Sequence, residues 1–304
     1  MTVKISGNTE SYAFGYDDLN RLTTASLTGA SAANFSYSYD YDLLGNVLSR
    51  TGSGGAAMTY TYGEGAAGPQ AVTTITGGVS YTYAYNERGN IDWKKNTGVM
   101  VHDYTFDVEN RLTSILTNGT HTMSFAYDAD GRRVKTARAD ETILYTPFPD
   151  YELTDPPGTG ANTLRTTYRL AGQIVAVKTR TGTSGTGKLY FTFTDHLGNV
   201  AGLGEGSTFT SGSLARLDPF GNYRTVPSTN PTVTNQGFMG HRHNNTGTYD
   251  LGLIYMNART YLPEVGRFIS PDTLVPNPGN SQSHNRYSYV LNSPVNYTDP
   301  SGHL

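Results

Sequence analysis

His241 and His243 stand two apart in "GHRHNN", and residues two apart on an extended strand share a side, so their imidazoles could hold one metal ion between them. Such a site needs a third ligand. The neighbouring sequence offers no Asp, Glu or further His at ligand spacing, so the pair reads as the polar face of a strand and no metal or other cofactor is expected. His196 of "DHLG" lies in a turn-forming string without the carboxylates and metal ligands a nuclease requires. Cysteine is absent, which removes thiolate metal sites, thiol nucleophiles and disulfides. The remaining chemistry belongs to 23 tyrosines set among Asn, Asp and Arg. Exposed rings of this kind can stack on sugars while their neighbours bond hydroxyl groups, which would suit a cell-surface carbohydrate- or partner-binding repeat module without enzymatic activity. The competing reading is mechanical: the rings form ladders between hairpins, each cross-strand pair contributing about 0.2–1 kcal/mol.

The elements that carry these residues are readable from a recurring string. "DDLN" (17–20), "DLLG" (42–45), "NERG" (86–89), "DVEN" (107–110), "DADG" (128–131), "DHLG" (195–198) and "DPFG" (218–221) each open on Asp or Asn and close on Gly or Asn. The opening side chain accepts backbone amides, and the closing residue tolerates positive φ, which predicts tight hairpin turns with a bulge. An aromatic residue anchors the repeat at Tyr16, Tyr41, Tyr62, Tyr85, Phe106 and Tyr127, at intervals of 25, 21, 23, 21 and 21 residues. Periods of this length mark repeat architectures. The flanks "SYSYDYD", "TYTYG", "SYTYAYN" and "HTMSFAYD" alternate aromatic with small or polar residues at period two, as strands do. Arg21, Arg111 and Arg132, which follow the turns, are placed to pair with the turn Asp or to lie on the rings.

The pattern loosens from Asp140 to Gly187, where "YTPFPDYELTDPPGTGANTL" reads as a long loop or a lateral excursion. Beyond it, "RTTYRLAGQIVAVKTRTG" and "GKLYFTFTDHLGNVAGL" read as strands on either side of a flexible "TGTSGTG". Helix is scarce, with only short turns near Asn277 to Asn285. Charged residues make up 15% and net charge is -3, so no overall field recruits nucleic acid or an anionic membrane. The start "MTVKISGNTESYAFGYDD" lacks an apolar export signal, and no apolar run is long enough to span a bilayer. A β-propeller is disfavoured because its blades recur at about 40–45 residues with His and Trp-Asp signatures.

The strings "FTDHLGNV", "LDPFGNYR", "FMGHRHNNTGTYDLGLIYMNARTYLPEVGRFISPD" and "NRYSYVLNSPVNYTDPSGH" resemble the RHS/YD-repeat proteins, specifically their RHS repeat-associated core. The resemblance implies an all-β fold: stacked hairpins forming a curved, spiralling sheet, a partial shell, with a C-terminal core-associated plug. It implies three segments, with repeat hairpins over 1–139, irregular and continuing strands over 140–235, and the core region over 236–304. Proteins of this family include the C component of insecticidal toxin complexes, bacterial polymorphic toxins and teneurins. By resemblance the partners are a polypeptide cargo or the remaining shell segments, and the setting is secreted or cell surface. At this length the chain is expected to be a terminal piece of a shell or the product of a degenerate gene, with no toxin cargo after Leu304. In self-cleaving members two aspartates near the end of the core act as an aspartic-protease pair. Carried onto this sequence they are Asp272 of "SPD" and Asp299 of "DPSG", with Arg267 of "GRF" nearby. One ionised carboxylate would activate water while its neutral partner donates to the scissile carbonyl. Asp299 also fits a purely structural role as the opener of another tight turn, and His303 stands where the family carries Leu.

Overall fold

The computed structural model describes the chain except residues 1, 6–7, 30–33, 53–55, 183–184 and 245–250. Parts of the strings "TGTSGTG" and "HNNTGTYD" therefore lie outside the described residues.

The fold is all-β, built by repetition of one turn. At Asp17 the carboxylate Oδ1 accepts the amides of Leu19 (3.0 Å) and Arg21 (2.9 Å), and Oδ2 accepts Arg21 Nε at 2.7 Å. Asp42 does the same for Leu44, Asn46 and the Asn46 side chain, and Asp107 for Glu109, Arg111 and the Arg111 guanidinium. Asp128, Asp195 and Asp218 repeat both amide contacts, and Asn86 makes them with its amide oxygen. The closing residue takes positive φ in each case, from 59° at Asn20 to 92° at Gly221. Strand register shifts just ahead of the turn, between Gly15 and Tyr16, Asp40 and Tyr41, Ala84 and Tyr85, and Ala126 and Tyr127. These are the expected bulges, which bend the strand into its reversal.

The aromatic residues tie one hairpin to the next mainly through their hydroxyl groups. Tyr41 donates to the carbonyl of Leu22 at 2.7 Å, Tyr62 to Val47 at 2.9 Å, Tyr85 to Val72 at 2.8 Å and Tyr127 to Leu112 at 2.7 Å. Each acceptor is the first strand residue after the preceding turn. Ring contacts add to this, as between Tyr12 and Phe35 (centroids 6.5 Å apart) and Phe35 and Tyr37 (5.1 Å). The arginines after the turns take both expected roles: Arg21 bonds Asp17 and lies 4.7 Å over Tyr41, and Arg111 bonds Asp107 and lies 5.1 Å over Tyr127. Arg132 reaches Asp128 at 3.6 Å.

Packing divides the chain into two units, each discontinuous in sequence: residues 1–102, 267–298 and 303–304, and residues 103–266 and 299–302. The expected boundaries near 139 and 235 follow changes in repeat regularity, whereas this grouping follows where the C-terminal segments return. In the first unit Asn8–Tyr16, Leu22–Thr28, Phe35–Tyr41, Val47–Gly52, Met58–Tyr62, Val72–Thr76, Tyr81–Tyr85 and Ile91–Asn96 pair antiparallel in sequence order. Leu22, Leu27, Val47, Ile75 and Ile91 supply its buried aliphatic side chains. In the second unit Leu112–Thr117 and Thr120–Tyr127 begin a similar antiparallel succession that continues to Val200–Glu205 and Thr208–Phe209. Leu253–Met256 and Arg259–Leu262 form a separate small sheet with Arg242–Asn244.

One expectation fails here. The segment read as a long loop contains the strands Ile143–Phe148 and Tyr151–Asp155, paired with each other and with their neighbours. Its prolines misled because Pro147 lies at a register irregularity between Tyr145 and Phe148, where proline fits without breaking the rest of the ladder. Helix is confined to the short Asn230–Val233 and to 3-10 turns among the described residues. One of these, Ser281–His284, falls in the stretch where short turns were expected, and Asn280 caps it.

Acid tests this turn directly. Burial alone would raise the Asp17 carboxyl, but the Arg21 amide and guanidinium and the Leu19 amide outweigh it and hold the group below its ordinary value. Asp107 is held down in the same way, against burial, by Arg111 and the Glu109 amide. A folded-state value below the unfolded one contributes stability above the unfolded value, near pH 4, that is lost as pH falls through the folded value. The thermal midpoint should therefore drop below about pH 4, and the double variant Asp17→Asn, Asp107→Asn should show a shallower drop. Asparagine already accepts both amides at position 86, so the variant keeps its turns while losing the titration and the bonds from Arg21 and Arg111 to the second carboxylate oxygen.

Candidate functional site

A four-residue reversal closed by one carboxylate satisfies its own amides but leaves the carbonyls near its apex pointing away from the strands. In the first unit the C-terminal stretch 267–298 supplies their donors. Asn285 Nδ2 donates to the carbonyl of Leu44 at 3.0 Å and Asn292 Nδ2 to that of Gly45 at 2.9 Å. The Tyr287 hydroxyl donates to Gly89 at 2.6 Å and Gln282 Nε2 to Leu19 at 2.9 Å. Backbone joins in, with the Ile91 amide donating to Ile269 at 2.8 Å. The segment contains little regular structure because its donors are side chains. Sequence reasoning missed this role. The available signal was the density of Asn, Gln, Ser and Tyr in "NSQSHNRYSYVLNSP".

Arg267 is the centre of that contact. It is 2% exposed, with Nη2 donating to the Gly45 carbonyl and Nη1 to Asn285 Oδ1, both at 3.0 Å, and its guanidinium lies 5.0 Å over the Tyr62 ring. A guanidinium so deep is held by carbonyls, an amide and a ring, which its planar fork of donors can serve together. Asp272, 3% exposed, belongs to the same unit. Its Oδ1 accepts the Leu274 amide at 3.0 Å and His303 Nδ1 at 2.8 Å, while its backbone carbonyl accepts Arg286 Nε. His303, which stands in place of the family's Leu, thus engages one of the two aspartates singled out from the sequence.

Asp299 lies in the second unit and is fully buried. Its Oδ1 accepts the Gly302 amide at 2.7 Å and the Ser301 hydroxyl at 3.3 Å, so it does open a turn. Arg259 Nη2 stands 3.7 Å from Oδ2, and Arg259 Nε donates to the Gly302 carbonyl. Asn257 Nδ2 donates to Pro300 at 2.7 Å and the Ala258 amide to Ser301 at 3.0 Å. The 256–259 reversal thereby grips the whole of 299–302. A Cβ at Gly302, whose φ is 84°, would come 2.0 Å from the Met256 carbonyl oxygen, so glycine is required there.

The two histidines are both buried, with different partners. His241 Nε2 donates to the Asp299 carbonyl at 2.9 Å, and burial holds its imidazole below the usual range against the opposing pull of Asp299. His243 Nε2 accepts the Phe238 amide at 2.7 Å. His196 sits inside the Asp195 turn. Among the described residues no group of three His, Asp or Glu side chains is placed to hold a metal ion.

The family model for the teneurin YD-shell matches residues 1–295. The tRNA3(Ser)-specific nuclease WapA of Bacillus spizizenii is 27% identical over 214 residues, which is 66% of this chain and 8% of that protein. The toxin protein Tse5 of Pseudomonas aeruginosa is 34% identical over 119 residues, 39% of this chain and 8% of that protein. The chain thus spans about 8% of the length of these relatives. Among solved structures, a TcdB2-TccC3-Cdc42 crystal structure superposes with a TM-score of 0.53 at 17% identity, covering 96% of this chain and 18% of that one. The Photorhabdus luminescens Tc holotoxin pore gives 0.53 at 16% identity, covering 97% and 18%. At these identities the structural likeness speaks for the fold.

Replacing Arg267 by Ala removes the donors for Gly45 and Asn285 and leaves a void under Tyr62. It should destabilise the first unit by about 3 kcal/mol in urea unfolding. Hydrogen exchange should show the amides of 268–292 losing protection, while those of 112–138 keep theirs.

Proposed function

Because this chain belongs to the teneurin YD-shell family, we propose that it serves as a wall segment of a bacterial RHS/YD-repeat toxin or surface protein that encloses or presents a polypeptide cargo. What supports the reading is the way hairpins are joined. Most reversals are closed by their own carboxylate, and Tyr41, Tyr62, Tyr85 and Tyr127 tie one hairpin to the next through a hydroxyl, so units of this kind extend a sheet without a helical layer to cover it. Residues 267–298 seal turn carbonyls that would otherwise face solvent. The relatives that the chain resembles in sequence include a named toxin and a named nuclease, and it matches only a small part of each, as a structural segment would. Its setting in this reading is secreted or cell surface. Among the described residues no helix is long and apolar enough to cross a membrane.

Protease protection tests enclosure. A short unstructured reporter fused after Leu304, in the longest form of the protein the gene encodes, should be digested by trypsin markedly more slowly than the free reporter. Equal digestion rates would reject enclosure. The alternative of a carbohydrate-binding module rests on a different surface, because the turn tyrosines direct their hydroxyls into the hairpin stack. Phe191, Phe193 and Phe209 of the second unit are exposed and would be the platform for a sugar.

The second part of the proposal is self-cleavage by Asp272 and Asp299. The observation that favours attention to Asp272 is its buried carboxylate held at one oxygen by His303. If the aspartates act as acid and base on a peptide bond beyond Leu304, His303 competes for a group the reaction needs. His303→Leu, which restores the family residue, should then speed release of a C-terminal extension, and Asp272→Asn should abolish it with the thermal midpoint little changed. Release by the Asp272→Asn variant at the normal rate would end the proposal; gel analysis of the extended chain over time gives the answer.

A further inference from the structure

The first strand residue after five of the turns is an aliphatic core position. Leu22, Val47, Ile91, Leu112 and Val200 occupy it, all aliphatic and all buried. In the Asp128 repeat the same place belongs to Arg133, which is only 6% exposed. A cation at an aliphatic core position opposes folding unless something compensates it. Its surroundings provide rings rather than a counter-ion: the guanidinium lies 4.1 Å over Tyr255 and 4.9 Å from the centre of Phe125. The Tyr255 hydroxyl is taken up by the Arg133 backbone amide, at 2.9 Å.

The nearest acid of this cluster, Glu152, is already committed. Its Oε1 accepts Arg165 Nη1 at 2.5 Å and its Oε2 accepts Asn235 Nδ2 at 2.6 Å, with Arg242 Nε 3.9 Å away. Arg242 and Arg165 each keep a buried Nε without a hydrogen bond. Arg169 and Asp150 nearby pair with each other at 2.7 Å. Four guanidinium groups thus share two carboxylates in one part of the second unit. No described carboxylate lies within ion-pair reach of Arg133, and its guanidinium is in contact with both rings.

We propose that Arg133, backed by Arg242 and Arg165, is a binding site for an oxyanion, a carboxylate or a phosphate, that supplies the missing negative charge. Contact with Tyr255 and Phe125 restrains the guanidinium before the ligand arrives, and its planar fork of donors matches two oxygens of either anion. The site is independent of cargo enclosure and of any cleavage.

The test uses the intact chain with sodium phosphate, sodium acetate and a glutamate-rich hexapeptide as probes, against sodium chloride at matched ionic strength. Thermal unfolding of the unaltered protein should shift upward by a few degrees, saturably, with at least one of the three, because a ligand that binds only the folded state stabilises it. A response to phosphate alone assigns a phosphate site; a response to acetate and the peptide assigns a carboxylate site. Arg133→Leu should fold at least as well as the parent, since Leu22 and Leu112 hold the equivalent position, and its midpoint should be the same in all four salts. The inference is overturned if the unaltered protein unfolds alike in all of them, or if Arg133→Leu keeps the full shift.

Discussion

The structure depends on one interaction: a carboxylate or amide oxygen at the start of a reversal accepting the backbone amides two and four residues later. That contact organises the amides of the turn and forces the residue between them into positive φ, which is why Gly or Asn stands there at Asn20, Gly45, Gly89, Asn110, Gly131, Gly198 and Gly221. It also dictates what must come next. With the amides consumed, the apical carbonyls are left as acceptors, and a stack of such turns presents a row of them. Any segment that covers this row has to be rich in donors and free to bend, which describes 267–298 better than any helix or strand would.

The same economy governs the joins between hairpins. A strand pair alone is marginally stable, so each needs its neighbour. Tyr41, Tyr62, Tyr85 and Tyr127 meet that need, each half-buried and ending in a hydroxyl aimed at the carbonyl just past the previous turn. Burial raises their phenol groups above the ordinary value, which keeps them neutral and donating. The arrangement survives variation in the turn. The reversal after Tyr62 is the longer "GEGAAGPQA", closed by Gly63 to Ala71 at 3.0 Å, yet Val72 still offers its carbonyl to Tyr85. What is preserved along the stack is the acceptor position, and the loop is free to change.

How far this was legible from sequence follows from range. The turn is local: Asp, two spacers, Gly or Asn, then a residue able to bond the second carboxylate oxygen, all within five positions. The strands are nearly local, since period-two alternation needs only a few residues. "YTPFPDYELTD" failed because the prolines sit where the ladder is already interrupted, and composition cannot reveal a bulge. The return of 267–298 to turns some two hundred residues earlier has no periodic signature. Only the run of Asn, Gln and Ser marks it, and such runs also mark loops. Asp272 and Asp299 were found through family resemblance, and nothing in their local sequence announces that His303 bonds the first or that Arg259 stands against the second.

Two of the buried arginines show why position matters more than residue type. Arg267 and Arg133 are both almost fully buried and both lie over aromatic rings. Arg267 spends its donors on the Gly45 carbonyl and on Asn285, groups left over by the turn and its cover, so its charge is embedded in oriented dipoles. Arg133 sits one residue past its turn, where the repeat provides apolar packing and no spare carbonyls. A guanidinium at the turn apex therefore completes the repeat, whereas one at the base of the strand interrupts it. The first is explained by the architecture alone; the second requires a partner the architecture does not contain.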